Sequence, residues 1–441
     1  MNRRISRRNL LQAFGVSALS GAGGLAAFPG ALRADPVRQR DSAARLVDGK
    51  IIQPQRELPV LHETDILVVG SGPAGVAAAL AARRTTVAKV TLVERYGHLG
   101  GQWTGGLVLI VVGMYGKSRV QMTRGIGEEM MRRLTKVHRG IVNYGPGRNP
   151  TVDAEALKYV MVEMVVEDEV DVLLHCWGVD AVTDGSKVCG AVFESKSGRQ
   201  AILAKVVIDA TGDGDVYAAA NAAYEHIPYH IGLVSRIGNV PHPPPKPPEG
   251  AKPPRGLGGI TPIEGARWVN MQGPTSDALD VRELSRLELN HRRQIWRQVE
   301  RLRETPGYED VYLMETAPQL GVRMSRLLDG VKQLTYKDAQ AGTPYPGRIG
   351  YSGDWTGTDY EWQIPYGALV PRKVDNILAA GRCISAERRM ADLIRVIPPC
   401  FVTGHAAGVA AAVSLQDGCL VRDVEVAKVR KILKEQDAYL G

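Results

Sequence analysis

The stretch TDILVVGSGPAGVAAALAARR, Thr64 to Arg84, decides the fold. Ile66 to Val69 form an unbroken, mostly β-branched apolar run, as a strand buried on both faces requires. Gly70, Gly72 and Gly75 follow and spell GxGxxG. Pro73 and Ala74 open the next helix, where a proline's missing N–H costs nothing. Nineteen residues beyond Gly75, the strand KVTLVE ends at Glu94, followed by Arg95. Each part has a physical duty. Gly70 makes the tight turn, Gly72 lets the backbone approach a pyrophosphate, and Gly75 permits close helix–strand packing. Glu94 can accept hydrogen bonds from a ribose. Strand, glycines, helix, strand and acid in that order predict a dinucleotide crevice.

Which dinucleotide is decided further along. In ERYGHLGGQWTGG the pair Gly100-Gly101 lets the chain pass close to an extended cofactor, which favours FAD over NAD. In AKVVIDATGDGD a strand ends at Asp209 and turns through Ala210, Thr211 and Gly212. DNILAAGRCISA supplies another apolar strand running into Gly381 and Arg382. Behind Pro398 and Pro399 a helix begins whose small residues Gly404, Ala406, Ala407 and Gly408 leave room for a flat ligand. Its positive end would favour negative charge on a reduced flavin.

On these motifs, together with VDAEALKYVM, ETAPQLGVRMSR and RVIPPC, the chain resembles the bacterial FAD-dependent oxidoreductases of the glutathione-reductase/fumarate-reductase fold group. The resemblance covers about Arg56 to Leu415. It implies an α/β fold: a Rossmann-like FAD-binding domain of glutathione-reductase type, with an inserted α+β substrate or cap region. It places Gly70, Gly72, Gly75, Glu94, Gly100, Gly101, Asp209, Gly212 and Gly381 in the FAD cradle. Two positions depart from the pattern. Arg382 stands where many relatives have an acid for the ribityl chain, and His405 stands where a neutral amide is expected.

The layout expected is a leader at 1–34, a linker at 35–59 and the first part of the FAD domain at 60–223. The cap follows at 224–347, the return segment at 348–420 and a C-terminal helix at 421–441. Asp153 is placed to cap a helix in VDAEALKYVMVEMVVEDE. VDVLLHCW, a hairpin around Asp184-Gly185, and SGRQAILAKVVIDAT read as strands. The cap holds a proline-rich loop, 241–256, with eight prolines between Pro241 and Pro254. That loop reads as a polyproline-like surface excursion, or as an entrance flap or docking strap. The charged helix DVRELSRLELNHRRQIWRQVERLRE after it suits one solvated face. The sequence has one GxGxxG-plus-acid unit, so a second domain for NAD(P)H is not expected.

The first residues carry Arg3, Arg4, Arg7 and Arg8 before a soft apolar run to about Ala34, which resembles a twin-arginine export signal. A basic first helix is the other reading, but five Gly and Pro residues from Gly15 to Pro29 would spoil it. Export of a folded protein fits a cofactor inserted beforehand, and predicts a periplasmic location. The net charge of +8 falls accordingly. Residues 1–34 hold five arginines and no acid, leaving 50 basic against 47 acidic residues, a net of about +3. This gives no case for nucleic acid. Beyond the leader no apolar run reaches the ~18 residues needed to span a membrane, and LVLIVVGMYG reads as a buried segment. None of the five cysteines forms CxxC or CxxCH, against haem or zinc.

For chemistry, the candidates lie where the cap re-enters the flavin domain: His226, His230, Arg395 and His405, with Tyr229, Arg323, Arg326 and Arg382 nearby. His226 and His230, four apart, would share a face in a helix or a strand. No third ligand accompanies them, so no metal is expected. Arg395 sits in apolar LIRVIPP, where a buried arginine implies an anionic partner. Cys383 and Cys400 fit a disulfide, a covalent flavin link or two small buried residues, and His98 fits a flavin tether or a loop residue. The function expected is an exported dehydrogenase or oxidase that removes a hydride from a small organic substrate. It would pass electrons to a periplasmic carrier, quinone, cytochrome or oxygen. Reduction of an activated alkene and a non-catalytic flavoprotein partner are the alternatives.

Overall fold

The computed structural model describes residues 44–441 except 117–118, 246–253, 255 and 354–360. The expected export leader, and most of the proline-rich loop, lie outside the described residues. The chain divides into two units, Met1–Arg56 and Glu57–Gly441. Within the first, strands Arg45–Val47 and Lys50–Ile52 form an antiparallel hairpin whose residues are all exposed.

The second unit opens with the βαβ expected from the sequence. Strand β1 (Val60–Val69) leads through the glycine turn into helix α1 (Pro73–Thr85), and β2 (Val90–Val93) returns parallel to β1. Every residue from Ile66 to Val69 is buried, as the apolar run requires. After the largely buried segment Leu107–Met114, the chain forms α2 (Ile126–Leu134) and α3 (Ala154–Glu167). Asp153 caps α3, its carboxylate accepting from the Glu155 and Ala156 amides at 3.1 and 3.0 Å.

VDVLLHCW is two strands, not one. β3 (Asp171–Leu173) runs parallel to β2. The chain then breaks at His175, whose φ is +59°, and re-enters the same sheet as antiparallel β4 (Trp177–Asp184). A hairpin turns β4 into β5 (Lys187–Ser195). The twelve-residue β6 (Gly198–Asp209) pairs antiparallel with β5 at its start and parallel with β1 along its length.

The inserted region supplies short strands around one long helix. These are β7 (Tyr224–His226), β8 (Tyr229–Gly232), β9 (Val234–Gly238), β10 (Arg267–Asn270), β11 (Tyr312–Thr316), β12 (Gly321–Val322) and β13 (Arg326–Leu328). β9 lies between β10 and β11, while β8 pairs with β12 and β7 with β13. The helix, α4 (Val281–Arg303), is capped by Asp280 and buries Leu287, His291, Ile295 and Val299 at helical spacing. Arg236 on β9 is buried between Asp153 and Glu315, which ties this sheet to the start of α3.

The chain then returns as β14 (Ile377–Ala379), parallel to the end of β6. The large sheet therefore runs β3-β2-β1-β6-β5-β4, with β14 also on β6. Helix α5 (Ile397–Asp417) crosses α1 with backbones almost touching. A Cβ on Gly404 would fall 2.0 Å from the Ala74 carbonyl oxygen, and one on Gly408 2.2 Å from that of Ala78. Among the described residues α5 alone is long and apolar enough to cross a membrane, and 94% of that window is buried inside the protein, as in a core helix. Helix α6 (Val426–Glu435) packs against it.

Candidate functional site

The carboxyl ends of β1, β2, β6 and β14 open onto one cavity of about 510 Å³, which continues between β8, β10 and β12 of the inserted region. A crevice outside the strand ends is where an α/β sheet of this kind takes a ligand.

The turn after β1 is built as its glycines predict. Gly70 has φ +97°, and a Cβ there would meet the Ala210 carbonyl oxygen at 2.5 Å. A Cβ on Gly75 would stand 1.7 Å from the Gly70 carbonyl oxygen. Gly72 is the opposite case: a Cβ there would meet nothing within 4 Å, because the residue lines the cavity. No side chain caps α1, so its first amides face the crevice available to an anion. Glu94 is fixed by the Ser71 amide and hydroxyl at 2.9 and 2.7 Å and by the Tyr96 amide at 3.0 Å. Pro73, Ala74, Glu94, Arg95, Gly101, Ala210, Thr211, Gly212, Gly381 and Arg382 line the cavity.

Three residues assigned to the cradle stand behind it. Asp209 is fully buried and accepts from the amides of Thr211, Val216 and Tyr217, so it shapes the turn after β6 and does not reach the cavity. Burial pushes its carboxyl up against those bonds. Gly75 packs on Gly70, and Gly100 packs on Thr104. Their glycines are needed for backbone geometry.

A buried ionic group sits below the turn after β6. Arg382 donates to Asp213 at 2.7 Å, and Asp213 also accepts from Ser325 at 2.6 Å. Burial would raise the Asp213 carboxyl, but Arg382, Ser325 and Arg95 hold it below its ordinary range. Arg326 pairs with Asp215 at 2.9 Å. Burial, then Asp213 and Asp209, push Asp215 up to about 6. The departure at Arg382 is thus answered by an acid 169 positions earlier.

At the inserted-region end, Arg323, His230, Asp392 and Arg395 line the cavity together. Asp392 accepts from Arg395 at 2.6 Å and from the Tyr229 hydroxyl at 2.9 Å. Burial raises its carboxyl, but Arg395 and Tyr229 outweigh that and hold it low. His230 Nδ1 is buried with no protein partner among the described residues.

The other histidines go elsewhere. His226 is exposed on β7 and bonds Asp277 at 2.9 Å, while His230 lies on β8; Ile227 and Pro228 break the strand between them, so the two share no face. His405 does not line the cavity. It is buried on the far side of α5, its Nε2 bonded to Gln436 Oε1 at 2.7 Å, and burial lowers it to about 4. His98 stacks on Tyr96 outside the cavity. Cys383 and Cys400 are both free thiols. Cys383 is buried beneath the turn, while Cys400 lines the cavity and burial pushes it up to about 12. Among the described residues no three His, Cys, Asp or Glu side chains converge on a metal position.

Several lining residues carried no motif: Gln102, Trp103, Trp177, Trp268, Asn270 and Asp392. Val108, Ile110 and Val112 also line the cavity while Leu107, Leu109 and Val111 are buried behind them. LVLIVV is apolar at every position, so nothing in the sequence separates the lining residues from those behind them.

The family described as FAD dependent oxidoreductase matches residues 65–228 and 249–433. No curated protein matches the chain. Among solved structures, a geranylgeranyl bacteriochlorophyll reductase-like protein from Thermoplasma acidophilum is similar at 14% identity and a TM-score of 0.46, over 85% of this chain and 83% of that one. The p-nitrophenol 4-monooxygenase of Pseudomonas putida is similar at 11% identity and a TM-score of 0.45, over 84% and 83%. Identities this low extend no activity to this chain.

Proposed function

The chain belongs to the FAD-dependent oxidoreductase family, and from that premise we propose that it is an exported dehydrogenase or oxidase of a small organic substrate. Its electrons would leave to a periplasmic carrier, a quinone or oxygen. FAD is the cofactor, and the cavity fits it: an open Gly72, an uncapped α1 and a fixed Glu94 are placed for its phosphates and ribose. When bound, FAD supplies hydride acceptance and donation at its isoalloxazine.

The observation that carries the reading is that this one cavity runs from the glycine turn to a polar group at the inserted region. Substrate and cofactor therefore share one space, walled in part by apolar side chains such as Val108, Ile110 and Val112. Dehydrogenation of a C–H beside oxygen or nitrogen also releases a proton. His230 is the residue to take it, because it is the histidine that lines the cavity among the described residues. Asp392 is engaged by Arg395 and Tyr229 and holds those groups in place. The single GxGxxG-plus-acid unit favours a reductant other than a nicotinamide held by a second domain.

Reduction of an activated alkene is the second reading, favoured by the two arginines in the cavity, Arg323 and Arg395. Anaerobic mixing separates the two. Bleaching of the oxidised flavin by an alcohol, amine or hydroxy acid supports the first. Reoxidation of reduced enzyme by unsaturated acids, with no bleaching by any donor, replaces it with the second.

A further inference from the structure

The arginines of the cavity are not equally occupied. Arg395 is answered by Asp392 at 2.6 Å. Arg323, beyond the end of β12, is held only by neutral oxygens: Gln272 O at 2.8 Å, Asn270 Oδ1 at 3.1 Å and Met271 O at 3.5 Å. Among the described residues no carboxylate oxygen lies within 4 Å of its guanidinium nitrogens. Arg323 therefore lines the cavity with no acidic partner of its own among the described residues.

We propose that Arg323 anchors a carboxylate of the substrate, so that the enzyme acts on a small organic acid. This rests on the oxidoreductase reading above and names the substrate class of the same site. Arg323 is half-buried, so its guanidinium is incompletely hydrated, and an anion would satisfy it with stronger, charge-assisted hydrogen bonds than the neutral oxygens give. The perturbation of Arg323 agrees: burial, then Arg395, lower it to about 10. The negative charge of a bound carboxylate would offset both effects by favouring the charged guanidinium.

The cofactor's own anions have a different set of partners. The turn after β1 and the first amides of α1 face the crevice, next to Arg382 with its partner Asp213. Arg323 is bonded instead to the inserted region, at Asn270 to Gln272 beyond β10. A planar guanidinium fixed on one side by two backbone carbonyls and an amide oxygen is pre-oriented, so little rotamer freedom is lost when a carboxylate binds.

The test uses purified holoprotein. Bound flavin is first measured from the visible spectrum. Succinate, benzoate, inorganic phosphate and the neutral succinamide and benzamide are then titrated, read by flavin difference spectrum and by melting temperature. We expect at least one of the two carboxylates to bind saturably, about tenfold or more tighter than its amide. Arg323→Gln should abolish that preference with its flavin retained, and Arg323→Lys should keep part of it. Amides binding as tightly as acids, phosphate binding with neither carboxylate, or no binding at all would overturn the proposal. So would loss of flavin from both Arg323 variants, which would assign the residue to the cofactor. Wild-type protein that folds without flavin defeats the oxidoreductase reading instead, and the melting-temperature arm still reports carboxylate binding.

Discussion

Arg382 Nη2 donates to Asp213 Oδ1 at 2.7 Å, joining the turn after β14 to the turn after β6 across the sheet's carboxyl edge. Both side chains are largely buried, at 12% and 16% exposure. Removing one partner of such a pair leaves the other charge uncompensated, at about 3–5 kcal/mol. Asp213→Asn should therefore lower stability by an amount of that order in urea unfolding and reduce retained flavin. Unchanged stability would show that Arg382 finds another partner.

The glycines of the first turn separate folding from cofactor binding. Gly75→Ala puts a methyl 1.7 Å from the Gly70 carbonyl oxygen and should prevent α1 from docking, giving little folded protein. Gly72→Ala meets no protein atom within 4 Å and has an ordinary φ of −60°. Its circular dichroism and melting in the flavin-free state should match the wild type, while FAD binding weakens about tenfold or more. Equal flavin affinity in Gly72→Ala would place the pyrophosphate elsewhere.

What the sequence could reveal follows the range of the interactions. The βαβ around Gly70, the capping of α3 by Asp153 and the exposed face of α4 are local, set by residues a few positions apart. The pairing of Arg382 with Asp213 is not local, and no short motif encodes it. His226 and His230 were expected on one face because their spacing allows it, but Pro228 ends the strand between them. His405 was expected at the flavin because α5 begins there. α5 is buried all round, so it has no polar face to orient it. Gly404 faces α1, and the next residue turns toward Gln436. The neutral setting of Arg323 emerges only when β12 is brought against the residues beyond β10.

His405 gives a pH dependence of stability. Burial first lowers its folded-state pKa to about 4, from 6.5 in a free chain, so the unfolded chain binds more protons between those values. Stability from this site is complete above about pH 6.5 and is lost as pH falls toward 4. The full loss is about 3 kcal/mol. His405→Gln should flatten this slope in urea unfolding measured across that range. An identical slope in the variant would assign the pH effect to other groups.

The histidines of the inserted region should differ in kinetics. His230→Gln should fold and keep its flavin, yet slow substrate-driven flavin reduction by about 10²–10⁴-fold, as loss of a general base does. His226, exposed and bonded to Asp277, should tolerate Gln with a rate near wild type. Stopped-flow reduction under anaerobic conditions reads both. A normal rate in His230→Gln would remove it as the proton acceptor.

The most direct test is the visible absorption spectrum of the purified, folded protein before and after acid precipitation. The account predicts flavin bands on the protein and stoichiometric FAD in the acid supernatant, because the candidate tethers His98 and Cys383 stand outside the cavity and burial pushes the thiol of the third, Cys400, up to about 12, away from the nucleophilic thiolate. Folded protein with no flavin bands, and none acquired on incubation with FAD, would contradict it.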